Sequence, residues 1–213
     1  MERSLPVTFI TRWIIHRVFH FFYRVETEIE GSLIVNGPAV ILPKHQYWTD
    51  IPLVAMVFPC PLTFVAKKEL FGIPGIRSLL QGVGGIPIDR ERPIRTLASI
   101  RSVFSCLKAS GKIVLFPEGT YVREEVGPGK SRLIQMILDF QQELNVKIPF
   151  VPMGIFYGKR AGWRRRVTIR IGSPLFAEQE SEAALLTRRV MEEISRLSGL
   201  PLFEKKGGSY AKT

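Results

Sequence analysis

Apolar positions along the chain follow two rhythms, and their alternation predicts the architecture. Short apolar runs at 39–42, 62–66, 86–88 and 113–116, the first of them wholly apolar, have the length and continuity of strands buried on both faces. Residues 25–30 instead alternate apolar with charged side chains and predict a strand that ends at Gly31-Ser32, and 148–156 and 167–171 read as two late strands. Between these the period lengthens. Residues 93–110 place Leu97, Ile100, Val103, Phe104 and Leu107 on one face and Arg95, Arg101 and Lys108 on the other, with Pro93 at the start and Gly111 as the stop. Helices are also expected from Thr49 or Asp50 to Val57, over 131–144 and over 181–197, the last with Leu186, Val190, Ile194 and Leu197 in one stripe. A helix that feeds a strand through a short link, as at 110–113, marks a βαβ crossover. The expectation is one α/β domain, a mixed, largely parallel sheet flanked by helices, with no internal repeat.

The first segment stands apart. Phe9, Ile10, Trp13, Ile14, Val18, Phe21 and Phe22 fall mostly along one helical stripe, interrupted by Arg12, His16, Arg17, His20 and Arg24. Its unbroken apolar run is far short of the roughly 20 residues that cross a bilayer, and it lacks the small-residue cleavage site of a signal peptide. A helix of this composition lies in the headgroup layer of a membrane or packs on its own domain, and the two are compatible. The expected division is 1–24 as an amphipathic interfacial helix, with Phe9, Trp13, Phe21 and Phe22 touching membrane, and 25–213 as the α/β domain.

Composition narrows the class. With 46% hydrophobic and 23% charged residues, the chain's 213 residues can bury one sizeable core. Lys and Arg outnumber Asp and Glu by 30 to 19, a formal charge of +11 that calls for an anionic partner: nucleic acid, anionic lipid or a phosphorylated substrate. Cys60 and Cys106 sit in apolar surroundings without metal-ligand spacing, as in a reduced cytoplasmic protein. His16 and His20 are one helical turn apart, but no nearby Cys, Glu or third His completes a metal site; no metal is expected.

Four loops at strand ends carry unusual chemistry. In the first, His45 is followed after four residues by Asp50, and it is the one imidazole outside the N-terminal segment. A carboxylate can hold a histidine in one tautomer while the ring takes a proton from an attacking hydroxyl; an Asp after Thr49 can also merely cap a helix. In the second, Gly84-Gly85-Ile86-Pro87-Ile88-Asp89-Arg90 puts a guanidinium beyond a buried strand, to fork a phosphate or to pair with Asp89 or Glu91. The third, Phe116-Pro117-Glu118-Gly119-Thr120, turns sharply out of a strand, and its acid is costly there unless paired. Glu118 there can bind an acceptor hydroxyl or orient Arg90. The fourth, Gly127-Pro128-Gly129-Lys130, approaches a helix N-terminus, which favours anions. It is not a nucleotide-phosphate loop, because Glu124 stands where that motif needs its first glycine.

Taken in order, His45-x4-Asp50, the Gly84 to Arg90 block, Phe116-Pro-Glu-Gly-Thr120 and Ile148-Pro-Phe-Val-Pro152 resemble the four blocks of the glycerolipid acyltransferases, in particular bacterial 1-acyl-glycerol-3-phosphate acyltransferases. The resemblance implies the fold of glycerol-3-phosphate acyltransferases and transfer of a fatty acyl group from acyl-CoA or acyl carrier protein to the free hydroxyl of a lyso-glycerolipid, giving phosphatidic acid when that lipid is 1-acyl-sn-glycerol-3-phosphate. It makes His45 the general base and Asp50 its orienting partner. Arg90 becomes the acceptor's phosphate ligand, and Glu118 and Gly119 shape its site; Thr120, with its hydroxyl and backbone donor, and Lys130, before a helix N-terminus, are the further substrate-binding candidates. No cofactor beyond the acyl donor is implied, and the protein is placed peripherally on the cytoplasmic face of an anionic membrane. The chain departs from the pattern after Thr120, where the family commonly has arginine and serine and this chain has Tyr121 and Val122, with Arg123 shifted along. Trp48, between the two dyad residues, either braces them or touches lipid.

Other readings have weaker support. Glycerol-3-phosphate, a lyso-ornithine lipid or another lysophospholipid would serve as acceptor by the same chemistry. Nucleic-acid binding is disfavoured by the lack of zinc-finger spacing or an aromatic RNA-recognition motif, and a hydrolase by the lack of Gly-x-Ser-x-Gly. A basic peripheral membrane protein without chemistry would be indifferent to loss of His45.

Overall fold

In a computed structural model that describes residues 16–31, 36–82, 84–88 and 93–203, seven strands form one sheet. In chain order the elements are α1 (16–22), β1 (Tyr23–Ile29), β2 (Ala39–Pro43), α2 (Asp50–Val57), β3 (Leu62–Lys67), α3 (Pro74–Gly82), β4 (Ile86–Ile88), α4 (Pro93–Lys108), β5 (Lys112–Leu115), α5 (Arg132–Leu144), β6 (Phe150–Ala161), β7 (Arg164–Ile171) and α6 (Ala183–Ser198). The sheet order is β1-β7-β6-β2-β5-β3-β4, and every neighbouring pair is parallel except the hairpin β6–β7. The expected mixed, largely parallel sheet flanked by helices is therefore what forms.

The continuous apolar runs have a direct cause. In β2, Ala39 and Ile41 point to one side of the sheet, with Leu53, Val54 and Met56 of α2. Val40 and Leu42 point to the other, with Val103 and Leu107 of α4, Ile134 and Ile137 of α5, and Val190 and Ile194 of α6. A central strand covered on both faces has no room for polar alternation. Helix α2 is buried on nearly every side, which is why it carries no amphipathic stripe.

Several boundaries differ from expectation, each for a local reason. Helix α4 ends at Lys108, and the left-handed position is taken by Ser110 (φ 58°), while Gly111 donates its N–H to Cys106 O at 2.8 Å. The basic stretch 159–166 is no loop: β6 and β7 extend through it as a hairpin, with Arg160 paired to Arg165 and Ala161 to Arg164. Helix α3 was not expected at all. Among the described residues no helix is long and apolar enough to cross a membrane. Phe9 and Trp13, and Arg90 of the second loop, lie outside the described residues.

The topology leaves one natural crevice. The chain leaves β2 through α2 on one face and reaches β3, on the far side of β5; it leaves β5 through α5 on the opposite face and reaches β6, on the far side of β2. Loops that depart in opposite directions part at the carboxyl ends of β2 and β5, and such switch points bind ligands.

Candidate functional site

His45 lies two residues beyond β2, at that switch point. Its Nδ1 is 3.0 Å from Oδ2 of Asp50, the fully buried first residue of α2. The same Oδ2 accepts the backbone N–H groups of Gln46 (2.6 Å) and Tyr47 (2.7 Å), and Oδ1 accepts the Tyr157 hydroxyl at 2.5 Å. A carboxyl group surrounded by donors acts as an acceptor, so Nδ1 carries the proton and Nε2 keeps its lone pair. The ring is stacked on Phe116 (centroids 3.8 Å apart, interplanar angle 22°) and covered on another side by Tyr121 (4.4 Å).

The backbone of His45 is clamped as firmly as its ring. Its N–H donates to Glu118 Oε2 at 2.8 Å, and its carbonyl accepts Val122 N–H at 2.9 Å. Lys44, fully buried, donates from Nζ to Glu118 Oε1 (2.7 Å) and Oε2 (2.9 Å) and to Val122 O (2.6 Å). Gly127 N–H closes the set at Glu118 Oε1, 2.8 Å, and a Cβ at Gly127 would stand 3.0 Å from Val122 Cγ2, so any larger residue would have to push that valine aside. Gly119 takes φ 71° to turn the chain out of β5. Burial pulls the Lys44 ammonium below its usual range, while the hydrogen bond and charge of Glu118 pull it back up.

Beside the dyad is a cavity of about 130 Å³ lined by Ile51, Phe64, Val65, Ala66, Leu70 and Phe116, with His45, Lys67, Gly119, Thr120 and Tyr121 supplying its polar groups. Burial, and then the Asp50 charge, raise the Tyr121 phenol above its usual range. Burial and Asp50 do the same, more strongly, to Tyr157, whose hydroxyl also pairs with Thr49 Oγ1 at 2.8 Å.

Of the residues singled out from sequence, His45, Asp50, Gly119 and Thr120 come together here. Two do not behave as expected. Glu118 does not line the cavity: both of its oxygens are engaged by Lys44 and backbone N–H groups, so it braces the site from behind. Lys130 is exposed and absent from the cavity wall, and its N–H holds Pro117 O at 2.9 Å. Trp48 turns to the surface, edge-on to Phe19 of α1. Sequence reading missed Lys44, Lys67 and Tyr157. Among the described residues no group of three or more His, Cys, Asp or Glu could hold a metal.

Comparison with known proteins places these features in context. A protein-family profile described as Acyltransferase matches residues 10–156. The 1-acyl-sn-glycerol-3-phosphate acyltransferase of Bacillus subtilis is 30% identical over 185 residues, 79% of this chain and 87% of that protein. The protein of the same name from Cocos nucifera is 28% identical over 166 residues, 72% of this chain, and that match spans about half (51%) of the relative's length. The crystal structure of the 1-acyl-sn-glycerophosphate acyltransferase of Thermotoga maritima shares the fold, with a TM-score of 0.61 over 92% of this chain and 84% of that one at 21% identity.

Proposed function

The chain belongs to the acyltransferase family, and from that premise we propose that it transfers a fatty acyl group from a soluble thioester, acyl-CoA or acyl carrier protein, to the free hydroxyl of 1-acyl-sn-glycerol-3-phosphate, giving phosphatidic acid. The observation that carries the reading is the 3.0 Å contact between His45 Nδ1 and Asp50 Oδ2 on a ring that lines a largely apolar cavity.

In this reaction His45 Nε2 takes the proton of the acceptor hydroxyl as its oxygen attacks the thioester carbonyl. Asp50 steadies the imidazolium that forms. The tetrahedral intermediate collapses with cleavage of the carbon–sulfur bond, and His45 returns the proton to the departing sulfur. The products are the ester and a free thiol. No side-chain nucleophile is required, and among the described residues no serine or cysteine stands in the cavity wall. Ile51, Phe64, Leu70 and Phe116 offer an apolar bed for acyl chain, while Lys67 and Thr120 offer a cation and a hydroxyl to a phosphate headgroup. Arg90, from the second loop, is proposed as a further phosphate ligand. The first 24 residues would lie in the interface of an anionic membrane, where the acceptor resides.

Purified protein given lysophosphatidate and acyl-CoA should release free thiol. His45→Ala and Asp50→Asn should each slow that release by roughly 10²- to 10⁴-fold while the thermal transition is retained. Release at the wild-type rate in His45→Ala would refute the mechanism. Absence of release from the wild type across lysophosphatidate, glycerol-3-phosphate, lyso-ornithine lipid and other lysophospholipids, with either donor, would refute the activity.

A further inference from the structure

The tip of the β6–β7 hairpin and helix α1 lie far apart in sequence but form one surface. Trp163 packs on Phe21 with ring centroids 4.4 Å apart, and the Arg164 guanidinium lies 5.8 Å above the Trp163 ring. Arg164 also donates to the carbonyl oxygens of His20 (2.5 Å) and Tyr23 (3.0 Å), which staples the hairpin to the end of α1. The rings that meet here are turned outward: Trp163 and Phe21 are each 59% exposed and Phe22 54%. Beside them Lys159 and Arg160 are exposed and make no ion pair among the described residues. Residues 158–166 contain no Asp or Glu.

We propose that this hairpin tip is a second membrane-docking element, which seats Trp163 with Phe21 and Phe22 at the level of the upper acyl chains and sets Lys159 and Arg160 on anionic lipid headgroups. Large rings held against one another in water gain by entering an apolar phase, and unpaired cations beside them gain from an anionic surface. A bilayer interface supplies both at one depth. An acidic carrier protein would answer the cations and leave the rings in water. Beneath this surface a run of contacts links α1 to the dyad: buried Phe19 packs on Tyr23, Tyr23 on Tyr157, and Tyr157 bonds to Asp50. Docking by this face would bring the bilayer, and an amphiphilic acceptor in it, alongside His45. The inference takes its purpose from the proposed acyltransferase activity, but vesicle binding is read without turnover, so the two can fail separately.

The test uses the full chain with vesicles of phosphatidylcholine alone or mixed with phosphatidylglycerol. Lys159→Glu/Arg160→Glu should weaken binding to the mixed vesicles by roughly 25-fold or more, at about fivefold per cation removed, with far less effect on phosphatidylcholine. A variant with Trp13→Phe and Trp48→Phe retains Trp163 as its one indole, since the chain has three tryptophans. Its emission should shift to the blue on binding and be quenched by brominated acyl chains. Wild-type binding by the charge-reversal variant, or unshifted and unquenched Trp163 emission in vesicle-bound protein, would overturn the proposal. Unaltered vesicle binding with a raised KM for acyl carrier protein would overturn it too, and would assign the hairpin to the donor.

Discussion

The buried pair behind His45 makes the most demanding prediction. Lys44→Met keeps the length and apolar stem of the side chain and removes an ammonium that reaches Glu118 Oε1 and Oε2 at 2.7 and 2.9 Å, Val122 O at 2.6 Å and His45 O at 3.3 Å. Breaking a buried ion pair by deleting one partner costs about 3–5 kcal/mol, because the surviving charge is left in a dry place. Glu118 would still accept the N–H groups of His45 and Gly127, so the lower end, about 3 kcal/mol, is expected. For a chain of this size that is a fall in Tm of about 6–12 °C. The loosened His45 backbone should lower kcat by about 10- to 100-fold. KM for the donor should change little. The double variant Lys44→Met/Glu118→Gln removes the stranded charge and retains one amide oxygen, enough for one of the two backbone donors, His45 N–H or Gly127 N–H. It should unfold at a higher temperature than Lys44→Met alone, with a coupling of about 1–3 kcal/mol. Thermal unfolding followed by circular dichroism and thiol release at saturating substrate measure both effects. Strict additivity of the two substitutions, or a Lys44→Met protein as stable as wild type, would refute the account of the clasp.

Three further outcomes follow from the same geometry. Tyr157 is held above the usual tyrosine range by burial and by Asp50, so above about pH 10 the unfolded chain sheds a proton that the folded one keeps; stability should fall there by about 1.4 kcal/mol per pH unit. Urea unfolding of Tyr157→Phe between pH 9 and 11 should lack that one-proton slope. Gly119→Ala forces a side chain onto φ 71° and should cost about 1–2 kcal/mol, read as a lower urea midpoint. Lys67→Ala should raise KM for lysophosphatidate by about 10- to 100-fold, the worth of one charged hydrogen bond, with kcat largely kept; an unchanged KM would remove Lys67 from the acceptor site.

How much of this was legible in the sequence depended on distance along the chain. His45 and Asp50 could be paired on paper because one loop carries both. The strands of the core announced themselves because two-sided burial leaves few polar positions in them, Thr63 in β3 and Lys112 in β5 being exceptions. Glu118 was visible as an acid leaving a buried strand, and such a group needs a partner, but that partner is Lys44, 74 positions earlier. Nothing local names it, so the carboxylate was assigned to the substrate. Tyr157 lies 107 positions from Asp50 and sits in β6 among residues that look like ordinary strand. The outer ends of β6 and β7 were missed because they project past the core, where backbone pairing and the Trp163 and Arg164 contacts to the α1 end hold them and no apolar rhythm is required. Helix α3 begins with Pro74-Gly75 and ends with Gly82, residues poor enough as helix formers to hide its amphipathic turn.

Tyr121 stands where the family resemblance leads one to expect arginine, and it is packed beside the His45 ring. The loop between β5 and α5 supplies Glu118, which pairs with the buried Lys44 behind His45, and presents Tyr121 at the ring. With Phe116 beneath and Tyr121 at its side, the imidazole is held by apolar contact, and its Nδ1 edge is held by a carboxylate whose other bonds are made by the backbone and Tyr157. What remains free to act is Nε2. A guanidinium at position 121 would put a cation against the imidazole, and in the proposed mechanism such a neighbour opposes the imidazolium. Lys67, at the end of β3, lines the same cavity as His45, so the proposed headgroup contact and the proposed proton transfer draw on different residues that open on one space.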